Sequence, residues 1–80
     1  MAKKSLTQKD INEIIRAIPH LIKLPFRRIW VDYDEEVDVL YISLQRPQKA
    51  TDSEMRNDGV LLRYRDKNLV GITILEASKR

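Results

Sequence analysis

The apolar residues change their spacing once along this 80-residue chain, and that change divides it into two parts. Up to Leu24 they recur every three or four positions, the spacing of a helix with one buried face. The residues concerned are Ile11, Ile14, Ile15, Ile18, Leu21 and Ile22. From Phe26 they recur at every second position, which indicates strands. The pattern predicts one α+β domain, with a helical extension over residues 1–25 and a β core over residues 26–80.

Thr7 is predicted to cap the helix, with Asp10 as its capping-box partner three residues later. Pro19 lacks the N–H that a helix needs and clashes with the preceding turn. We therefore expect a helix over residues 7–18 that breaks near Pro19, followed by a short helical turn that ends at Pro25.

Four alternating runs predict four strands, over residues 28–34, 37–44, 60–65 and 69–75. Short polar turns join the first two runs and the last two, which favours an antiparallel β-meander. The polar residues 45–58 are predicted to form a long loop. We expect the helix to pack on one face of this four-stranded sheet.

The second strand is apolar on both sides, whereas one helix covers only one face of a sheet. The second apolar face is the predicted interaction surface, and its candidate residues are Trp30, Val39, Tyr41 and Leu61. Either the long loop or a second subunit is expected to cover it. A chain of 80 residues without cysteine has little core and no disulfide, which also favours a homodimer.

Catalytic groups are scarce in the sequence. His20 is the only histidine, and two distant glycines provide no phosphate-binding loop. We therefore expect no enzyme and no cofactor. The acidic run at the first hairpin offers a third hypothesis, a metal-dependent enzyme that uses Asp32 and Asp34, against the simpler interpretation of a solvated turn. That run comprises Asp32, Asp34, Glu35, Glu36 and Asp38.

The net charge of +3 supports nucleic-acid binding as the alternative function. Its candidate residues are Lys3, Lys4, Arg27, Arg28, Arg63 and Arg65. Nucleic-acid modules usually carry a denser basic stripe with interleaved aromatic residues, so this function ranks second. No signal peptide and no apolar run of membrane-spanning length is present, so we expect a cytoplasmic protein without a membrane partner.

Three segments of the sequence together resemble a known family. They are Tyr33-Asp34 with Asp38–Leu44, then Asp58-Gly59-Val60, and then Val70–Ile72 with Ile74-Leu75 and Ala77–Arg80. Over residues 31–80 the chain resembles the small prokaryotic proteins grouped as Domain of Unknown Function 2283. The resemblance implies no catalytic residues. Some members are encoded beside small toxin-like proteins, which implies an antitoxin-like role as an association.

The leading hypothesis is a non-enzymatic protein-interaction module that forms a homodimer and is antitoxin-like, with a small toxin-like protein as a second partner. The sequence identifies no partner. It also leaves open whether the helix packs on its own sheet or on that of a neighbouring copy.

Overall fold

The computed structural model describes residues 6–80, which form one helix and one antiparallel sheet. The helix α1 spans Gln8–Leu21. The strands are β1 (Trp30–Asp34), β2 (Val39–Ser43), β3 (Asp52–Met55), β4 (Val60–Arg65) and β5 (Asn68–Ile74). A 3-10 turn over Ala77–Lys79 follows β5. The α+β class is confirmed.

The start of α1 agrees with the sequence. The Asp10 N–H donates to Thr7 Oγ1 over 3.2 Å, and the Thr7 N–H donates to Asp10 Oδ2 over 2.9 Å, so the capping box is present. The break near Pro19 is not confirmed, because α1 continues through Pro19 to Leu21. Pro19 lies in the last turn of α1, where its missing N–H removes only one backbone hydrogen bond of the helix. The C-cap hydrogen bond still forms, from the Ile22 N–H to the Ile18 carbonyl over 3.0 Å.

The sheet has five strands, not the four predicted. The additional strand β3 lies within residues 45–58, which were expected to be a loop. Every residue of β3 is exposed, because it is an edge strand paired with β4 alone. An edge strand without a buried face has no reason to alternate apolar and polar residues, so its sequence resembles a loop.

The strand order is β1-β2-β5-β4-β3, so the prediction of a simple meander was wrong. Residues 44–51 carry the chain from β2 to the far edge, and β3, β4 and β5 then return toward β2. Gln48 of this connection lies against Gly71 of β5, and its Nε2 donates to Ser43 Oγ over 2.8 Å. The connection therefore crosses one face of the sheet.

The helix does not cover the sheet, contrary to the prediction. No residue of α1 is buried. The radius of gyration is 14.3 Å, whereas a compact chain of this length has about 12 Å. Among the hydrophobic side chains of residues 6–80, only Val39 and Val70 are buried. No helix in this described part of the chain is long and apolar enough to cross a membrane.

Candidate functional site

One side of the sheet, called here the aliphatic face, is formed by six branched side chains of the three central strands. The strand register aligns them in two rows of three across β2, β5 and β4. The rows are Leu40, Ile74 and Val60, and Ile42, Ile72 and Leu62. None of the six is buried. The single chain therefore leaves a continuous apolar surface in the middle of its sheet partly open to solvent.

The apolar stripe of α1, called here the helix stripe, is the second uncovered surface. Its residues and their exposed fractions are Ile11 39%, Ile14 54%, Ile15 53%, Ile18 44%, Leu21 48% and Ile22 76%. Charged and polar residues occupy the other side of α1, including Glu13 and Arg16, which lie 3.5 Å apart. The helix is thus strongly amphipathic, and its apolar side contacts no buried core.

The interaction residues predicted from sequence lie together on the opposite side of the sheet, called here the tryptophan face. The register places Trp30, Val39, Tyr41 and Leu61 there. Val39 is only 7% exposed, whereas Tyr41 is 40% exposed. The connection that carries Gln48 covers part of this face. The aliphatic face, which the sequence assigned to the helix, lacks that cover.

Asp38 joins the β1–β2 hairpin to the C-terminal segment, an arrangement called here the C-terminal latch. Its Oδ1 accepts the Tyr33 hydroxyl over 2.6 Å and the Ser78 N–H over 3.0 Å. Its Oδ2 accepts the Ser78 hydroxyl over 2.7 Å, and its carbonyl accepts the Ala77 N–H over 3.0 Å. The latch therefore joins residues 40 positions apart.

Arg80 completes the latch through its guanidinium group. Nη1 donates to the Asp58 carbonyl over 2.6 Å, and Nη2 donates to the Leu75 carbonyl over 2.7 Å. Gly59 has a φ of +83°, and a Cβ there would lie 2.8 Å from Arg80 Nη2. The glycine thus provides both the turn conformation and the space that the guanidinium occupies.

The sequence segments that resemble a known family thus converge on the latch and on the central strands. The family model described as "Protein of unknown function (DUF2283)" matches residues 30–78, which is more than half of the chain. The chain belongs to the DUF2283 family. No curated protein and no solved structure matches it.

The DUF2283 match begins at the first residue of β1 and ends in the 3-10 turn, so it contains the whole sheet and leaves α1 outside. Of the latch residues, Tyr33, Asp38 and Ser78 lie inside it and Arg80 lies outside. Sequence reasoning missed the contact between Asp38 and Ser78. The shared occurrence of both residues in the family pattern was the only available signal, because periodicity does not report contacts between distant residues.

The latch predicts how the stability of this DUF2283 protein depends on pH. The Tyr33 hydroxyl, followed by the Ser78 hydroxyl and N–H, lowers the pKa of Asp38 below its ordinary 3.8. A carboxyl whose pKa is lower in the folded state contributes stability above its unfolded pKa and loses it as the pH falls through the folded value. Asp38→Asn should therefore be less stable than the wild type at pH 7, and the difference should shrink well below pH 4.

Urea unfolding at neutral and acidic pH measures this difference. Asn accepts a positive φ about as readily as Asp, so the substitution tests the charge and not the φ of +55° at this position. The pKa of Asp10 is also lowered, chiefly by the Thr7 N–H, but Asp10 is present in both proteins and its effect cancels. A difference that stays constant from pH 7 to pH 3 would contradict the role given to the carboxylate.

The acidic hairpin does not form a metal centre in the described structure. Asp32 and Asp34 both lie on the tryptophan face and line an open depression with Tyr33, Tyr41 and the turn glutamates. Across residues 6–80, no three carboxylate or histidine groups are placed so that they could hold a metal ion.

The basic candidates are distributed over the molecule. Lys3 and Lys4 lie outside the described residues. Arg27 and Arg28 are exposed just before β1, whereas Arg63 and Arg65 lie on β4, three strands or about 14 Å away. Arg63 lies on the tryptophan face, with its Nε shielded from solvent. The four described arginine candidates therefore do not form a continuous basic stripe.

Proposed function

We propose that this DUF2283 protein is a non-enzymatic protein-interaction module that acts as a homo-oligomer. One observation carries the proposal: the helix stripe and the aliphatic face are both apolar, and neither is buried by the chain that contains them. Contiguous apolar surfaces left open to solvent on a single chain commonly mark a site of interaction with another protein. A second protein chain would remove that area from water.

The free energy available is sufficient for association. Full burial of an isoleucine or leucine contributes about 1.5–3 kcal/mol, so six residues left about half exposed retain roughly 5–9 kcal/mol per helix. Two helices in a dimer double that amount, against an association cost of about 4–15 kcal/mol. A helix of 14 residues is also marginal alone in water, and it needs packing of its apolar side to persist.

An antitoxin-like role, implied by the family resemblance, would use the same surfaces with a different occupant. A small toxin-like protein would then replace a second copy on the helix stripe or the aliphatic face. Copurification from the native host separates the two cases, because an antitoxin is recovered with a stoichiometric protein of another mass.

Ile15→Glu should dissociate the oligomer without lowering the intrinsic helix propensity of α1. Glutamate has at least the helix propensity of isoleucine, so the substitution changes only the apolar character of the stripe. Light scattering coupled to size-exclusion chromatography should show an oligomer for the wild type and a monomer for the variant.

Glu13→Gln on the polar side of α1 is the matched control, and it should remain oligomeric. A wild-type chain that stays monomeric up to its solubility limit would overturn the proposal. An unchanged mass for Ile15→Glu would show that the helix stripe is not part of the interface.

A further inference from the structure

We infer that the aliphatic face of each copy is covered by helix α1 of a second copy, in a dimer that exchanges its two helices. The inference rests on the proposed function and names the occupant of its surface. Each chain carries one helix stripe and one aliphatic face, and the exchange covers both surfaces in both chains. Such self-complementary contacts close a symmetric dimer.

The distribution of charge places a basic segment directly after the helix and an acidic excess on the part of the chain that forms the sheet. Residues 6–28 hold five basic and two acidic side chains, a net charge of +3. Residues 29–80 hold eight basic and ten acidic side chains, a net charge of −2. Helix α1 itself holds two basic and two acidic side chains, so the excess lies in Lys23, Arg27 and Arg28, which follow it. A helix seated on the sheet brings this basic segment near opposite charge.

The edge of the aliphatic face shows the same complementarity locally. Glu54 on β3 pairs in register with Leu62, so it lies on the side of the sheet that carries the aliphatic face. The basic residues Lys23, Arg27 and Arg28 follow α1 in the chain and are exposed. Within one chain, Arg27 and Arg28 come just before β1, and β1 lies four strands or about 19 Å from β3, the strand that carries Glu54.

The connection between α1 and β1 begins with a turn and a proline. The Leu24 N–H donates to the Leu21 carbonyl over 3.1 Å, which continues the helix end by one turn. Pro25 then restricts both its own φ and the conformation of Leu24. No residue of α1 is buried against its own sheet, so the aliphatic face of that sheet remains available to a helix from another copy.

Cross-linking tests the exchange directly, because the chain has no cysteine of its own. An Ile15→Cys chain and a Leu62→Cys chain are mixed, unfolded and refolded together, and treated with a short bis-maleimide. We expect a covalent species of twice the monomer mass that contains one chain of each kind. Val60→Cys serves as a second sheet variant if Leu62→Cys fails to fold.

Two controls define the surfaces. Glu13→Cys, on the polar side of α1, should not cross-link to Leu62→Cys, and Tyr41→Cys, on the tryptophan face, should not cross-link to Ile15→Cys. Cross-linking confined to a single chain that carries both Ile15→Cys and Leu62→Cys would overturn the exchange in favour of packing within one chain.

Failure of the inference and failure of the proposed function give different results. If light scattering shows a dimer while Ile15→Cys cross-links only to another Ile15→Cys, the helices pair with each other and the exchange is wrong, but the interaction module stands. If light scattering shows a monomer and no mixture cross-links, both are wrong.

Discussion

Replacement of Val70 by alanine should lower the free energy of unfolding by about 2 kcal/mol, a large share of the stability of a domain this small. Val70 is 1% exposed and is the most completely buried hydrophobic side chain in the described structure. Removal of two buried methyl groups costs their transfer free energy and leaves a cavity that a two-residue core fills poorly. The expected fall in the melting temperature is roughly 8–16 °C.

Val37→Ala is the matched control, because it makes the same chemical change at a side chain that is 59% exposed. Thermal and urea unfolding of both variants should be measured at one protein concentration, since the stability of an oligomer depends on concentration. Equal losses for Val70→Ala and Val37→Ala would show that Val70 is not the centre of the core.

Replacement of Gly71 by alanine should destabilise the sheet by about 1–2 kcal/mol through a collision with Gln48. A Cβ at Gly71 would lie within 2.6 Å of the Gln48 side-chain amide. That amide donates to Ser43 Oγ over 2.8 Å, and its Oε1 is buried without a hydrogen-bond partner. The amide would have to move, and the hydrogen bond to Ser43 would be lost.

Gln48→Ala should remove most of this cost. In the Gln48→Ala background the added methyl group meets no amide, and Gly71→Ala gains from the smaller conformational freedom of the unfolded chain. Urea unfolding of the wild type, both single variants and the double variant gives the coupling between the two positions. Additive effects would show that Gln48 does not rest on Gly71.

Local features of the fold could be predicted from residue types and their spacing. The capping box at Thr7 and Asp10 follows from the chemistry of two residues three positions apart. The same holds for the faces of the central strands, because the two-residue period places alternate side chains on opposite sides.

The long-range arrangement of the strands could not be predicted in the same way. Strand β3 carries no apolar alternation because neither of its sides is buried, and a polar edge strand has the composition of a loop. The pairing of β2 with β5, and with it the strand order, depends on where residues 44–51 cross the sheet. That crossing is set by contacts such as Gln48 on Gly71, between residues far apart in the chain.

The same distinction between local and long-range features applies to the candidate site. The sequence by itself determined that the helix is amphipathic and that β2 is apolar on both sides, because both properties are periodicities. Only the tertiary structure decided which apolar surfaces stay uncovered. They are the helix stripe and the aliphatic face, because α1 buries none of its residues on the sheet it was expected to cover. Periodicity shows that a face must be buried, whereas the path of the chain determines what is available to bury it.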